Sequence, residues 1–228
     1  MQKLGKYTQS DLMFDLVSDN YRILLVMSRF GIGLGFGKKT IEEVCKLNNV
    51  DTKTFLTVTN MLLTDEPPTD IYNSVSMEAL LSYLQNSHAY FLKFRLPLIR
   101  EQLVQIVGHN ELSRAIMGYF DEYTTGVEEH MTYEEHIVFP YVRTLLNGTR
   151  PSDYSIEVFR RQHDRVEALL TEFKNILIKY YPSASTNELN SLMFDIFDCE
   201  QDLASHNAVE DLLFVPAVKI LEQKTKEK

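Results

Sequence analysis

One phrase occurs twice in this chain, and it limits the folds available. His130-Met-Thr-Tyr-Glu134-Glu135 runs on to Pro140, and His206-Asn-Ala-Val-Glu210-Asp211 runs on to Pro216. Both copies read His-x3-Glu-acid-x4-Pro, and both lie in long stretches with helical apolar spacing. Residues four apart on a helix sit one turn above each other on the same face. Each His–Glu pair can therefore point at one ion, and two pairs from two facing helices can hold two. A fold that uses them must bring long helices face to face.

The rest of the chain supplies such helices. Pro and Gly are scarce and bunched, and little of the sequence shows the period-two alternation of strands. Thr64-Asp-Glu-Pro-Pro-Thr-Asp70 reads as a linker, with two prolines among turn-favouring residues. It predicts a small helical N-terminal domain over residues 1–66 and a larger domain over 75–224. The first contains short helices from about Ser10, read as its N-cap, and from Tyr21 to Phe30. A glycine-rich turn, Gly31 to Gly37, follows. Next comes a helix opened by Thr40 with Glu43 at capping-box spacing, then one N-capped by Asp51. The larger domain contains four helical stretches, roughly 76–107, 111–146, 154–180 and 186–224, joined by short connections. The predicted fold is all-α, an antiparallel four-helix bundle behind a small helical domain. The core of such a bundle is a usual place for metal sites made from inward-facing side chains.

Every predicted bundle helix, or its end, offers a histidine: His88 on the first, His109 just after it, His130 on the second, His163 on the third and His206 on the fourth. A lone helical histidine is ordinarily a surface or hydrogen-bonded core residue. Two His-x3-Glu pairs, with further histidines on the other two helices, are what a central metal site requires. The candidate ligands are His88, His109, His130, Glu134, His163, His206 and Glu210. His136 lies roughly 200° around the helix from Glu134 and about 240° from His130, so it is excluded. Glu167, four after His163, is a third carboxylate candidate, placed at the site's edge or in solvent. With no cysteine cluster, imidazole and carboxylate donors suit iron, zinc, copper or manganese. Seven such side chains exceed the needs of one ion. With both carboxylates bridging and an oxo or hydroxo bridge, they fill about eleven of the roughly twelve positions of two octahedral ions. One open position suits a diatomic molecule.

The bundle resembles a hemerythrin-like domain. With its N-terminal extension, the chain is similar over roughly residues 5–222 to the iron–sulfur cluster repair di-iron family, the repair-of-iron-centres proteins. The resemblance rests on His88-Ala-Tyr-Phe-Leu-Lys-Phe-Arg-Leu-Pro97, Gly108-His109-Asn110, Glu129 to Pro140, Gln162-His-Asp164 and Ser205 to Phe214. It implies two non-haem irons on the seven candidate ligands, with Glu134 and Glu210 as carboxylate bridges and no ligand role for Glu167. It also implies repair or protection of iron–sulfur proteins after nitrosative or oxidative damage, with oxygen or nitric oxide as small ligand and iron–sulfur proteins as partners. The N-terminal domain matches in Phe30-Gly31-Ile32 and Gly37 to Val44. Where the family carries a Cys-Cys-Gly-Gly turn, this chain has Leu34-Gly-Phe-Gly37. Family chemistry that needs that thiol pair is therefore not carried over. An alternative expectation is a sensor or binding protein that takes up oxygen or nitric oxide reversibly.

Other classes fit poorly. The net charge of −9 opposes broad nucleic-acid binding, which needs phosphate-neutralising cations. Thr40 to Met61 has a helix-turn-helix outline, but residues 1–66 carry eight basic and eight acidic side chains and the second helix only Lys53. Gly31 to Thr40 mimics a phosphate-binding loop but has Ile32 and Lys39 at the wrong positions and no preceding strand. No secretory signal or membrane-spanning apolar run is present, so a cytoplasmic, membrane-free protein is expected. Cys45 and Cys199 read as reduced thiols, the latter seven residues before His206 and expected as a buried small hydrophobe. Tyr90, Tyr133, Phe139 and Phe214 are expected to line the site or fill the core. A homodimer through the N-terminal domain is the oligomeric arrangement to test, and no catalytic triad or nucleotide loop marks an enzyme.

Overall fold

The computed structural model describes residues 6–108, 110–149, 154–161, 164–182 and 186–226. Helix dominates them, and extended pairing among the described residues is limited to one bridge between Leu12 and Thr40. Short helices come first: α1 (Met13–Asp19), α2 (Ile23–Arg29), α3 (Ile41–Leu47), α4 (Thr52–Thr64) and α5 (Ile71–Ser74). The long helices of the bundle follow. α6 (Met77–Tyr90) continues into α7 (Leu96–Val107), and α8 (Glu111–Tyr133) into α9 (Phe139–Leu146). Next come a 3-10 segment at Ile156–Arg161 and α10 (Asp164–Tyr180). Last, α11 (Asn187–Val209) continues into α12 (Val215–Lys226). By contact the chain forms two compact units, residues 1–87 with 208–228, and residues 88–207.

Helix starts obey local capping chemistry. Thr40 and Glu43 close a reciprocal capping box at α3, and Asp51 accepts the Thr54 amide at 2.8 Å to open α4. Asn110 accepts from the Ser113 amide at 2.8 Å, and Thr186 from the Leu189 amide at 3.1 Å. Ser10 was expected to cap α1 and does not. Asp11 instead takes the Thr8 amide and hydroxyl at 2.6 and 2.8 Å, and Leu12 stays extended to bridge Thr40. The helix therefore begins only at Met13. At its far end the third stretch starts as a 3-10 turn rather than as an α-helix from Tyr154. The glycine turn has Gly31, Gly35 and Gly37 at positive φ, a backbone that side chains disfavour, so those glycines serve the turn.

In the first unit Phe30 packs edge-on to Phe55 at 5.5 Å and against Tyr83 at 5.0 Å. Asn60 ties down the chain before α1, accepting from the Tyr7 amide at 2.7 Å and donating to the Tyr7 carbonyl at 2.9 Å. In the second unit α8 packs against α7 and α10. Its core takes Leu96, Ile99 and Leu103 from α7, with Ile116, Phe120, Tyr123 and Val127 from α8. Leu170, Phe173 and Leu177 come from α10, and Leu192, Ile196, Cys199 and Leu203 from α11. Spacings of three and four leave one apolar stripe per helix.

Three interruptions in the long helices share one cause. Each is a single π-turn, at Phe91–Arg95, Glu134–Val138 and Glu210–Phe214. They are closed by i→i−5 bonds from the amides of Leu96, Phe139 and Val215 to the carbonyls of Phe91, Glu134 and Glu210. In every case a proline is the next residue: Pro97, Pro140 and Pro216. Proline brings no N–H and its ring collides with the carbonyl four residues back. Admitting one extra residue relieves that collision, and the bulge is a form that clusters at functional sites.

Phe120 is fully buried, 5.2 Å from the Phe173 ring, and Phe120→Ala is expected to cost about 3–5 kcal/mol of stability in denaturant unfolding. Asp121, in an exposed pair with Arg100, is expected to cost under about 1 kcal/mol on change to Ala.

Candidate metal centre

The π-turns lie beside the residues that matter. His88 precedes the first, while Glu134 and Glu210 open the second and third, each four residues after His130 or His206. His88, Glu134 and His206 of the second unit are buried, and one ligand atom from each lies within 4.8 Å of the other two; Glu210 is buried as well. Glu210 sits one turn beyond His206 on the same helical stretch. His130 is buried too and reaches Glu134, its Nε2 standing 2.7 Å from Oε1. The other Glu134 oxygen, Oε2, lies 2.8 Å from His88 Nε2. Of the expected ligands, five are thus placed. His109 and His163 lie outside the described residues, as does the side chain of Glu167.

The chemistry of these donors fits a cation. His88 Nδ1 lies 3.0 Å from Glu135 Oε1, and an ionised carboxylate can only accept, so Nδ1 carries the hydrogen. In the neutral ring Nε2 then presents a lone pair toward Glu134 Oε2, itself an acceptor. Two acceptors 2.8 Å apart repel unless a positive charge lies between them. Glu134 and Glu210 are 0% exposed, and an ionised carboxylate there costs several kcal/mol unless something compensates its lost hydration. A bound cation supplies both needs. Imidazole and carboxylate donors suit the first-row transition metals.

Aromatic rings close around the imidazoles. Phe139 stacks on His88 at 5.4 Å and 11°, and Phe159 on His130 at 6.1 Å and 3°. Phe91 meets His206 edge-on at 5.9 Å. Phe139 was an expected lining residue, while Phe91 and Phe159 were not singled out. Tyr133 instead hydrogen-bonds the Tyr154 hydroxyl at 3.2 Å, Tyr90 packs on Phe91 and Phe94, and Phe214 is buried. His136 is exposed and within 3.0 Å of the Thr132 carbonyl of its own helix. Cys199 lies in the apolar core, where burial pushes its thiol up to about 12, with Tyr123 hydrogen-bonded to it. It behaves as a small hydrophobe. Burial raises Cys45 to about 11.

Sequence comparison then decides the family: the hemerythrin HHE cation binding domain matches residues 79–218. The chain belongs to that family. No curated protein matches the chain. The protein is thus a hemerythrin-type cation-binding protein whose buried His/Glu cluster is consistent with a metal site. No described helix is long and apolar enough to cross a membrane.

Metal content per chain, measured after anaerobic reconstitution with ferrous iron, is expected to fall sharply in His130→Ala and His206→Ala and to stay near wild type in His136→Ala. Equal loss in all three would refute the site. At neutral pH both thiols are expected to resist iodoacetamide in the native protein and to react on unfolding, since the thiolate is the nucleophile.

Proposed function

We propose that the chain is a non-haem di-iron protein that repairs or protects iron–sulfur clusters damaged by nitric oxide or oxidative stress. The observation that carries the di-iron reading is the Glu134 carboxylate. It offers one oxygen to the imidazole of His88 and the other to that of His130, the disposition of a carboxylate bridge between two ions. His88, His109, His130, Glu134, His163, His206 and Glu210 are the proposed ligands, with Glu210 as the second bridge. When bound, two irons would supply one-electron chemistry and affinity for oxygen or nitric oxide. The chain's own residues would hold that pair by imidazole and carboxylate donors. The stacked rings of Phe139 and Phe159 keep water from the imidazole faces, and the buried carboxylates lower the positive charge of the site. The repair role itself rests on the resemblance of the ligand-bearing stretches and of the N-terminal unit to the repair-of-iron-centres proteins.

A second reading has one observation in its favour. The turn from Gly31 to Gly37 contains no thiol, and Cys45 is buried on α3, so the N-terminal unit has no exposed cysteine pair with which to pass iron onward. That favours an oxygen- or nitric-oxide-binding sensor whose N-terminal helices engage a partner.

Mixing the iron-loaded protein with a cluster-damaged enzyme, without added iron, separates the two. Recovery of that enzyme's activity is the expected outcome. Reversible ligand spectra with no recovery would overturn repair in favour of sensing.

A further inference from the structure

The two acidic residues that open the second π-turn grip opposite nitrogens of a single imidazole from another helix. Glu134 Oε2 lies 2.8 Å from His88 Nε2, and Glu135 Oε1 lies 3.0 Å from His88 Nδ1. The His88 side chain is 3% exposed and that of Glu135 is 29% exposed, so the outer carboxylate stays partly hydrated while the ring does not. Resting on the metal reading above, we propose that Glu135 is a positioning residue for His88, fixing the ring's orientation and tautomer and raising the donor strength of Nε2 toward the metal.

The physical case is specific to this residue. A neutral imidazole can carry its hydrogen on either nitrogen, and only the Nδ1–H form leaves Nε2 free to coordinate. An acceptor at Nδ1 selects that form. A charged acceptor also places electron density on the ring, strengthening it as a ligand. Phe139, stacked on His88, restrains the ring's tilt but carries no acceptor and cannot choose between nitrogens. Both acids belong to the π-turn Glu134–Val138, as its first two residues. Glu134 points inward with no exposure, and Glu135 follows on the widened turn with its oxygen on the outer edge.

The test compares wild type, Glu135→Ala, Glu135→Gln and Glu129→Gln, all as full chains loaded with ferrous iron. Glu129 is an exposed acid on the same helix and controls for loss of one charge. Chelator competition is expected to show roughly 10–100-fold weaker iron binding in Glu135→Ala. Glu135→Gln, whose amide oxygen still accepts from Nδ1–H, is expected to stay within a few-fold of wild type. Its reduction potential should nevertheless shift upward, beyond any shift in Glu129→Gln, because the charge behind the ligand is gone. Imidazole nitrogen shifts of the zinc-loaded proteins should show Nδ1–H at His88 in wild type and in Glu135→Gln. Circular dichroism melts of the metal-free chains establish that each variant folds. If Glu135→Ala binds iron as tightly as wild type, or Glu135→Gln shows no shift beyond the control, the positioning role is overturned. Failure of the wild type itself to retain iron would instead overturn the metal reading on which it rests.

Discussion

Two carboxylates without solvent exposure, set among imidazoles in an apolar interior, are the constraint to which the rest of this structure answers. Such groups cost several kcal/mol each in lost hydration, and here the nearest partners of Glu134 are the Nε2 atoms of His88 and His130. A cation held among these donors offsets that cost, and the low local dielectric makes the attraction strong. The apolar layers around Phe120, Phe173, Ile196 and Leu203 hold helices α8, α10 and α11 in register. Rings on the imidazole faces keep the dielectric low. Fold stability and site electrostatics are therefore coupled: the core that excludes water from the site also sets how strongly an ion would be held.

The prolines show how the backbone meets that constraint. A regular helix cannot carry proline in its interior without losing a bond and straining the preceding turn. Three of the long helical stretches do carry one, and each inserts a residue just before it. One inserted residue turns the following helix by roughly 100°, so residues beyond the bulge present different faces from those a straight helix would show. The bulges sit at or one turn past His88, His130 and His206, and Glu134 and Glu210 are their first residues. The x4-Pro ending of the repeated phrase is thus part of the site, since it shapes the turn from which the carboxylates project.

The N-terminal unit stands apart chemically. Its glycine turn adopts left-handed backbone at three positions and carries aliphatic and aromatic side chains but no thiol. Both cysteines of the chain are buried with raised thiol pKa values. Sulfur chemistry at neutral pH is accordingly remote from this protein, and any traffic of electrons or ligands falls to the imidazole–carboxylate cluster.

Much of this was legible in the order of residues. Helical periodicity, caps at Thr40 and Asp51, and the paired His-x3-Glu phrases are local, and local spacing settles which side chains share a helical face. The all-α class followed from that, as did the placing of His136 on a face away from His130 and Glu134. Three things needed the tertiary structure. Ser10 lost its cap because Asp11 took the Thr8 donors and Leu12 paired with Thr40, a contact nearly thirty residues away. The π-turns depend on where a proline meets a packed helix that would otherwise break, although the prolines themselves were in plain view. The roles of Glu135, Phe91 and Phe159 arise from meetings across helices, and spacing along one chain segment carries no information about which side chain of another segment will arrive at 3 Å. Sequence by itself determined which donors exist and on which faces they lie; packing alone decided which of them meet, because those distances are set by the apolar core and not by the motif.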